Sequence, residues 1–424
     1  MSSQESDFAD DIVADHLPTH SEPPRDEFMP WHRVRKEYIR RHQWNELAIR
    51  LVEGCWRKQL QQAESEWSLE EAVEGPQLEI PEGVALDKSL NCLVIPGDDL
   101  LDVRALWRDL SPYKCFIRYL GFNQGHGSED KGTRVHVANN AVISLGRFNK
   151  FSRILHDRFE SIAKQDSMAY RYLKEGGPYH IVNLDLCGSM FPNTAAESKE
   201  YYEALHQLLA YQFGHQRHEW LLFITTMVEP SVVDNGELQK LCGPTRKNFE
   251  AHQEFVDQIA KLMPREAFQD TSSTVNLAGL TEGQLTQLFG LALGKWILTL
   301  CQSARPQWIV AMRRSFRYVV NEHKGAVMLS LAFELRPNIT PPQDPTGISK
   351  LKAPSKKVPD EKECAIKLAS SVGNIQDVDG LLAADRRLWE QLRDAQANLL
   401  AAAGYDRDAY VSWTDNGEDM PKDN

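Results

Sequence analysis

The sequence predicts a doubly wound α/β domain, and three observations carry that expectation. Short apolar runs bounded by turn residues recur from about residue 114 onward. Long amphipathic or apolar stretches with helical periodicity separate most of them, which implies parallel strands joined by helical crossovers. The last two runs are divided only by His323, Lys324 and Gly325, too few residues for a crossover, so they form an antiparallel hairpin.

The elements follow in order. Residues 31–72 carry Tyr38, Ile39, Leu47, Leu51, Trp56 and Leu60 at three- and four-residue steps, a helical N-terminal stretch. After a Gly/Pro-rich loop, residues 91–96 form a short apolar strand and residues 98–109 a helix with Leu101, Ala105 and Leu106 inward. Strands are expected at 114–120, 134–138, 152–156, 179–185, 220–225, 316–322 and 326–335. Helices are expected at 195–213, 249–262 and 285–301, and a last one at 380–403 with Leu381, Leu388, Leu392, Ala395 and Leu399 on one stripe and Gly404 as its stop.

Composition divides the 424 residues further. Residues 1–27 hold eight acids against Arg25 alone and few aromatics, the composition of a disordered tail. A basic helical module covers 28–88, the α/β domain 89–337, a Pro/Lys linker 338–362, a helical segment 363–414 and a second acidic tail 415–424. The tails hold −7 and −3 of the net charge of −12, which leaves the body near neutral. The most apolar stretch, 285–301, is interrupted by Gln287 and Lys295 and is expected as a buried helix. The acidic start lacks a secretory leader, so a cytoplasmic protein is expected. Seven dispersed cysteines, none in a closely spaced pair, argue for reduced, mostly buried thiols and against a zinc ribbon; no metal site is expected.

The segment Tyr179-His180-Ile181-Val182-Asn183-Leu184-Asp185-Leu186-Cys187-Gly188 is an apolar strand ending in an acid. Ligands of open α/β sheets bind beyond the carboxyl ends of the strands, so Asp185 stands at a position for chemistry; the alternative is a structural cap of the following loop. Cys187 is either a small buried residue or a thiol nucleophile, and buried is the commoner state. Arg33, Arg35, Lys36, Arg40 and Arg41 with Trp31, Tyr38 and Trp44 lie on one helical stretch. Cations and aromatics together fit nucleic acid, while a helix packed through its aromatics on the α/β body fits equally well. No phosphate loop ending in Gly-Lys-Ser or Gly-Lys-Thr is present in the sequence.

Five strands in βα alternation, a long helix and a terminal hairpin resemble the class I S-adenosylmethionine-dependent methyltransferases, whose Rossmann-like sheet has seven strands and gains one antiparallel strand from its hairpin. The resemblance implies a cofactor turn after the strand at 114–120, where Gly121, Asn123 and two further glycines, Gly125 and Gly127, stand. It implies a ribose contact at Asn139, an adenine contact at Asp157, followed by Arg158 and Phe159, and a reacting centre at Asp185. The DNA amino-methylating members follow their acid or amide with two prolines and an aromatic; here Leu186 and Cys187 follow Asp185, which departs from that chemistry.

The basic Trp-rich helix, Gly121-Phe122-Asn123, residues 183–187 and residues 220–226 together resemble bacterial methyltransferase-like proteins of the three-Cys-motif partner kind, encoded beside antiviral defence genes. That resemblance implies a methyltransferase acting on nucleic acid, with protein partners from a defence operon. The alternative is a catalytically inactive scaffold or nucleic-acid-binding subunit. A cofactor-sized pocket bounded by Gly121, Asn123, Asp157 and Asp185 marks the enzyme; a pocket filled by Phe122 or His126 under an exposed basic helix marks the scaffold.

Overall fold

The computed structural model describes residues 24–56, 89–124, 129–186, 188–190, 195–228, 235–268, 275–277, 279–321, 326–338, 346 and 359–418. Their centre is a mixed nine-stranded sheet, mostly parallel: β1 (Ser89–Val94), β2 (Phe116–Phe122), β3 (Arg153–Leu155), β4 (Ile181–Asp185), β5 (Trp220–Val228), β6 (Trp308–Met312), β7 (Phe316–Asn321), β8 (Ala326–Pro337) and β9 (Gln376–Asp377). The spatial order is β3-β2-β1-β4-β5-β8-β7-β9, and β6 also pairs with β8. Strand β8 runs antiparallel to β5, β6 and β7. β6 and β7 lie end to end along its far edge, as one strand interrupted at residues 313–315.

Alternation along each strand decides which face a residue serves. Leu90, Cys92 and Val94 of β1 enter one apolar cluster and Leu93 the other. Residues of β5 from Trp220 to Thr226 are buried, as expected of a central strand covered on both faces.

The first face is covered by α1 (Val34–Ile39), a π-helical turn (Arg40–Asn45) and α2 (Glu46–Leu51), with α3 (Leu101–Leu110) and α4 (Glu129–Ser144) beside them. The second face takes α5 (Met168–Gly176), α6 (Ala195–His215), α7 (Asn235–Ala251), α8 (Gln253–Ile259), α9 (Glu282–Ser303) and α10 (Glu361–Gly373). α9 starts at a capping box, in which Thr281 and Gln284 each bond the other's backbone N–H. The chain then returns to the first face through α11 (Val378–Ala384) and α12 (Arg386–Ala401), and α13 (Arg407–Trp413) packs on α12.

Several expectations are corrected. Residues 134–138 are not a strand but part of α4: Val135, Ala138 and Val142 are buried at helical spacing while Val137 is 62% exposed. The strand at 114–120 is second in sequence, because β1 precedes it, and the β1 turn falls at residues 95–100. β6 and the two-residue β9 had no predicted counterpart. The helix expected at 380–403 is two helices, since Asp385 turns the chain and caps the second through the Leu388 N–H. Gly404, at φ 88°, ends the path as expected.

The N-terminal helix is one of the layers on the sheet, not a separate module, and Arg25 binds the backbone around Gly404. Residues 57–88, most of the linker and most of both acidic tails lie outside the described residues. Among the described residues no helix is long and apolar enough to cross a membrane. Cys92, Cys115, Cys242 and Cys301 are buried free thiols and Cys364 is half-buried; the side chains of Cys55 and Cys187 lie outside the described residues.

Gly121 lies inside β2, and a Cβ there would stand 2.3 Å from Ile154 Cδ1 and 3.3 Å from Pro96. It serves strand packing rather than a cofactor turn. Gly121→Val is expected to lower stability by about 1–3 kcal/mol through overpacking. Urea denaturation checks this, and an unchanged midpoint contradicts it.

Candidate functional site at the carboxyl edge of the sheet

Sequence order reverses between β1 and β4, so the crevice beyond their carboxyl ends is the topological switch point. β1 runs out into Ile95, buried Pro96, exposed Gly97, Asp98 and buried Asp99 before α3. A Cβ on Gly97 would meet nothing within 4 Å, so the backbone there borders open space. Asn123, just past β2, donates from its amide to Pro96 O at 2.9 Å and Asp98 Oδ1 at 3.2 Å. Its placement ties the β1 and β2 ends together.

Asp185 ends β4 on the same face as Ile181, two pleats earlier, and this is the face the N-terminal helix covers. Lys36 of α1 donates to Asp185 Oδ1 at 2.5 Å, and its ammonium stands 4.7 Å from the Trp44 ring centroid. Burial alone would depress the Lys36 ammonium, but Asp185, with Tyr318 and Asp102 adding to it, carries it above the ordinary range. Burial pushes the Asp185 carboxyl up, and Lys36 opposes that.

The same helix sends Arg35 to Asp379 and Arg40 to Asp102, the latter at 2.8 Å. Across the π-helical turn, Gln43 bonds the carbonyls of Arg314 and Ser330, and Ser330 Oγ donates back to it. A second carboxylate centre lies at the start of α3. Asp99 is held by Arg25, Arg134 and Tyr405, and although burial raises its carboxyl, these hydrogen bonds bring it below the usual range.

Asn123, Asp157 and Asp185 fall at the carboxyl ends of β2, β3 and β4, three of the positions sequence reasoning selected. Asp157 bonds the Arg158 N–H and Ser161 Oγ and so shapes the turn into the 3₁₀ segment Phe159–Ala163. Asn139 is not at a strand end; it lies in α4 and accepts from Tyr119 Oη at 2.6 Å. Phe122 is 1% exposed and packs edge-on against Phe159, part of the core. His126 and Cys187 lie outside the described residues.

The basic helix is not a free surface. Arg35, Lys36 and Arg40 are at most 5% exposed and ion-paired, and half-exposed Arg41 binds the Glu37 carboxylate. Arg33 is half-buried and also engaged. Sequence reasoning missed Lys36 as the partner of Asp185, and it missed the Pro96-Gly97-Asp98-Asp99 turn. That turn did carry the expected signal of an apolar strand followed by a glycine and acids. Among the described residues no group of three His, Cys, Asp or Glu side chains is placed to hold a metal ion.

Fold and edge together define an open, mostly parallel α/β protein with carboxylate and amide side chains grouped at the strand ends of its switch point. The chain belongs to the PP_RS20740-like family, whose model matches residues 25–415. No curated protein and no solved structure matches it.

Proposed function

We propose that this is a divergent S-adenosylmethionine-dependent methyltransferase with its cofactor site over the Pro96-Gly97-Asp98 turn. The observation that carries the reading is the strand order. Five parallel strands, β3-β2-β1-β4-β5, are followed by reversed β8 inserted before β7, an order we read as the seven-stranded Rossmann-like sheet of that class with β6 and β9 as additions. Exposed Gly97 would let the backbone approach the cofactor, and Asp98 and Asn123 would offer its ribose hydroxyls a carboxylate and an amide. Asp157 would border the adenine. The group, when bound, supplies the electrophilic methyl; Asp185 with Lys36 would orient the acceptor atom.

Nucleic acid as acceptor and a role in bacterial antiviral defence, with partners from the same operon, follow from the family resemblance. The ion-paired N-terminal helix does not add to them. The second reading, a non-catalytic scaffold, is favoured by the Lys36–Asp185 pair and by the direct Asn123–Asp98 contact, which draw the crevice together.

Calorimetric titration with S-adenosylmethionine and S-adenosylhomocysteine separates the two, with Gly97→Trp as the diagnostic variant. Open space at Gly97 predicts a folded variant. The methyltransferase reading expects micromolar binding to the native chain and at least a tenfold loss in Gly97→Trp. No heat from folded native protein would leave only the scaffold.

A further inference from the structure

Toward the amino ends of β2 and β3, at the opposite end of the strands from Asp185, a cleft of about 30 Å³ opens beneath α5. Arg118, Phe151, Arg153, Tyr172, Glu175 and Tyr179 line it. The two arginines come from neighbouring parallel strands, and with Arg153 in register with Leu120 they stand on one face of the sheet, offset by two residues. Arg118 donates to the Glu175 backbone carbonyl at 3.1 Å and Arg153 Nε to the Phe151 carbonyl at 3.4 Å. Each guanidinium has five N–H donors, and neither Arg118 nor Arg153 is in a salt bridge among the described residues.

The rings hold the cations in place. Arg153 lies 4.9 Å from the Tyr172 centroid, Arg118 lies 5.9 Å from that of Phe151, and the Lys150 ammonium stands 5.6 Å from the same Phe151 ring. Burial, and with it the Arg153 charge, weaken the hold of Arg118 on its proton, while Tyr179 and then Glu175 oppose this. Two half-buried like charges facing one cleft cost free energy that a bound anion would remove.

We propose that this cleft is a binding site for a phosphate group, free or as a monoester, gripped by Arg118 and Arg153. The anion's oxygens would reach the two guanidinium groups from the cleft's mouth, with any ester substituent against Phe151 and Tyr172. Exposed Glu175 is the one carboxylate lining it, and it works against an anion. The site is independent of the crevice beyond β1 and β4.

The test is calorimetric titration of the full chain with inorganic phosphate, phenyl phosphate and acetate. Phosphate and phenyl phosphate are expected to bind and acetate to bind more weakly. Arg153→Ala is expected to weaken phosphate by about tenfold or more, the loss of a charge-assisted pair, and Glu175→Gln to tighten it. Tighter phenyl phosphate than inorganic phosphate would identify an ester as the ligand, and equal affinities a free anion. Where Arg118→Ala does not fold, Arg153→Gln replaces it. No phosphate heat from the folded native chain, or equal affinity in Arg153→Ala and native protein, overturns the proposal.

Discussion

Lys36→Ala is expected to lower folding stability by about 3–5 kcal/mol, because it leaves the Asp185 carboxylate buried without its counter-charge. The site gives little relief. The Lys36 and Asp185 side chains are 6% and 15% exposed, and the ammonium also covers the Trp44 ring. Removing it opens a gap beside an aromatic and an unpaired acid at once. The double variant Lys36→Met/Asp185→Leu is expected to recover most of the loss, since an apolar pair of similar volume removes both desolvation penalties. Urea denaturation of the two single variants and the double variant checks this. A single variant within about 1 kcal/mol of native protein would show that the pair is solvated and contributes little.

That pair also explains which features were legible in the sequence. Strands β4, β5 and β8 announce themselves because apolar runs bounded by turn residues have few other uses, and a strand-ending acid such as Asp185 is placed by the strand alone. Residues 134–138 deceived for a physical reason: Arg-Val-His-Val-Ala alternates over five positions, and only Val142, beyond the run, shows that Val135 and Ala138 belong to a helical stripe. A basic helix has the same composition whether its charges face solvent or buried acids. Lys36 meets Asp185 across 149 residues of chain, and Arg35 meets Asp379 across 344, so no local window contains the partners. The site was shifted for a related reason. With 114–120 taken as the first strand, the expected cofactor turn fell on Gly121, whereas β1 precedes that strand, so the turn after the first strand is Pro96-Gly97, tied to the end of β2 by Asn123.

Acid should destabilise the protein well above the carboxylate range, through fully buried His32 and half-buried His180. His32 is fully buried among Phe28, Trp31 and Tyr405, and its Nδ1 accepts the Met29 N–H at 3.2 Å. Burial lowers its pKa from 6.5 to about 3; Asp99 opposes the shift, while Arg40, Arg134 and Arg25 add to it. His180 Nδ1 accepts the Asn91 N–H at 3.0 Å where β4 joins β1, and burial lowers its pKa to about 4. Both rings must stay neutral to keep these bonds. The folded values lie below the unfolded one, so below pH 6.5 the unfolded chain binds more protons and stability falls with pH. The His180 contribution is exhausted near pH 4 and the His32 contribution near pH 3. For His32 the ceiling is about 5 kcal/mol, at 1.36 kcal/mol per pKa unit. Asp99 has a depressed folded value and so adds its loss only as pH drops through the carboxylate range, while Asp185, pushed up by burial, gains stability on protonation and works the other way. The fall between pH 6.5 and 4 therefore comes from the histidines that burial keeps neutral, His32 and His180 first with His42 and His218 adding to them, against the opposing gain at Asp185. His32→Asn, which keeps an acceptor near the Met29 N–H, is expected to cost some stability at pH 7 and to flatten the fall between pH 6.5 and 4. Urea midpoints at pH 7, 5.5 and 4.5 measure it, and a slope equal to that of the native chain in both His32→Asn and His180→Asn would mean that other groups drive acid unfolding.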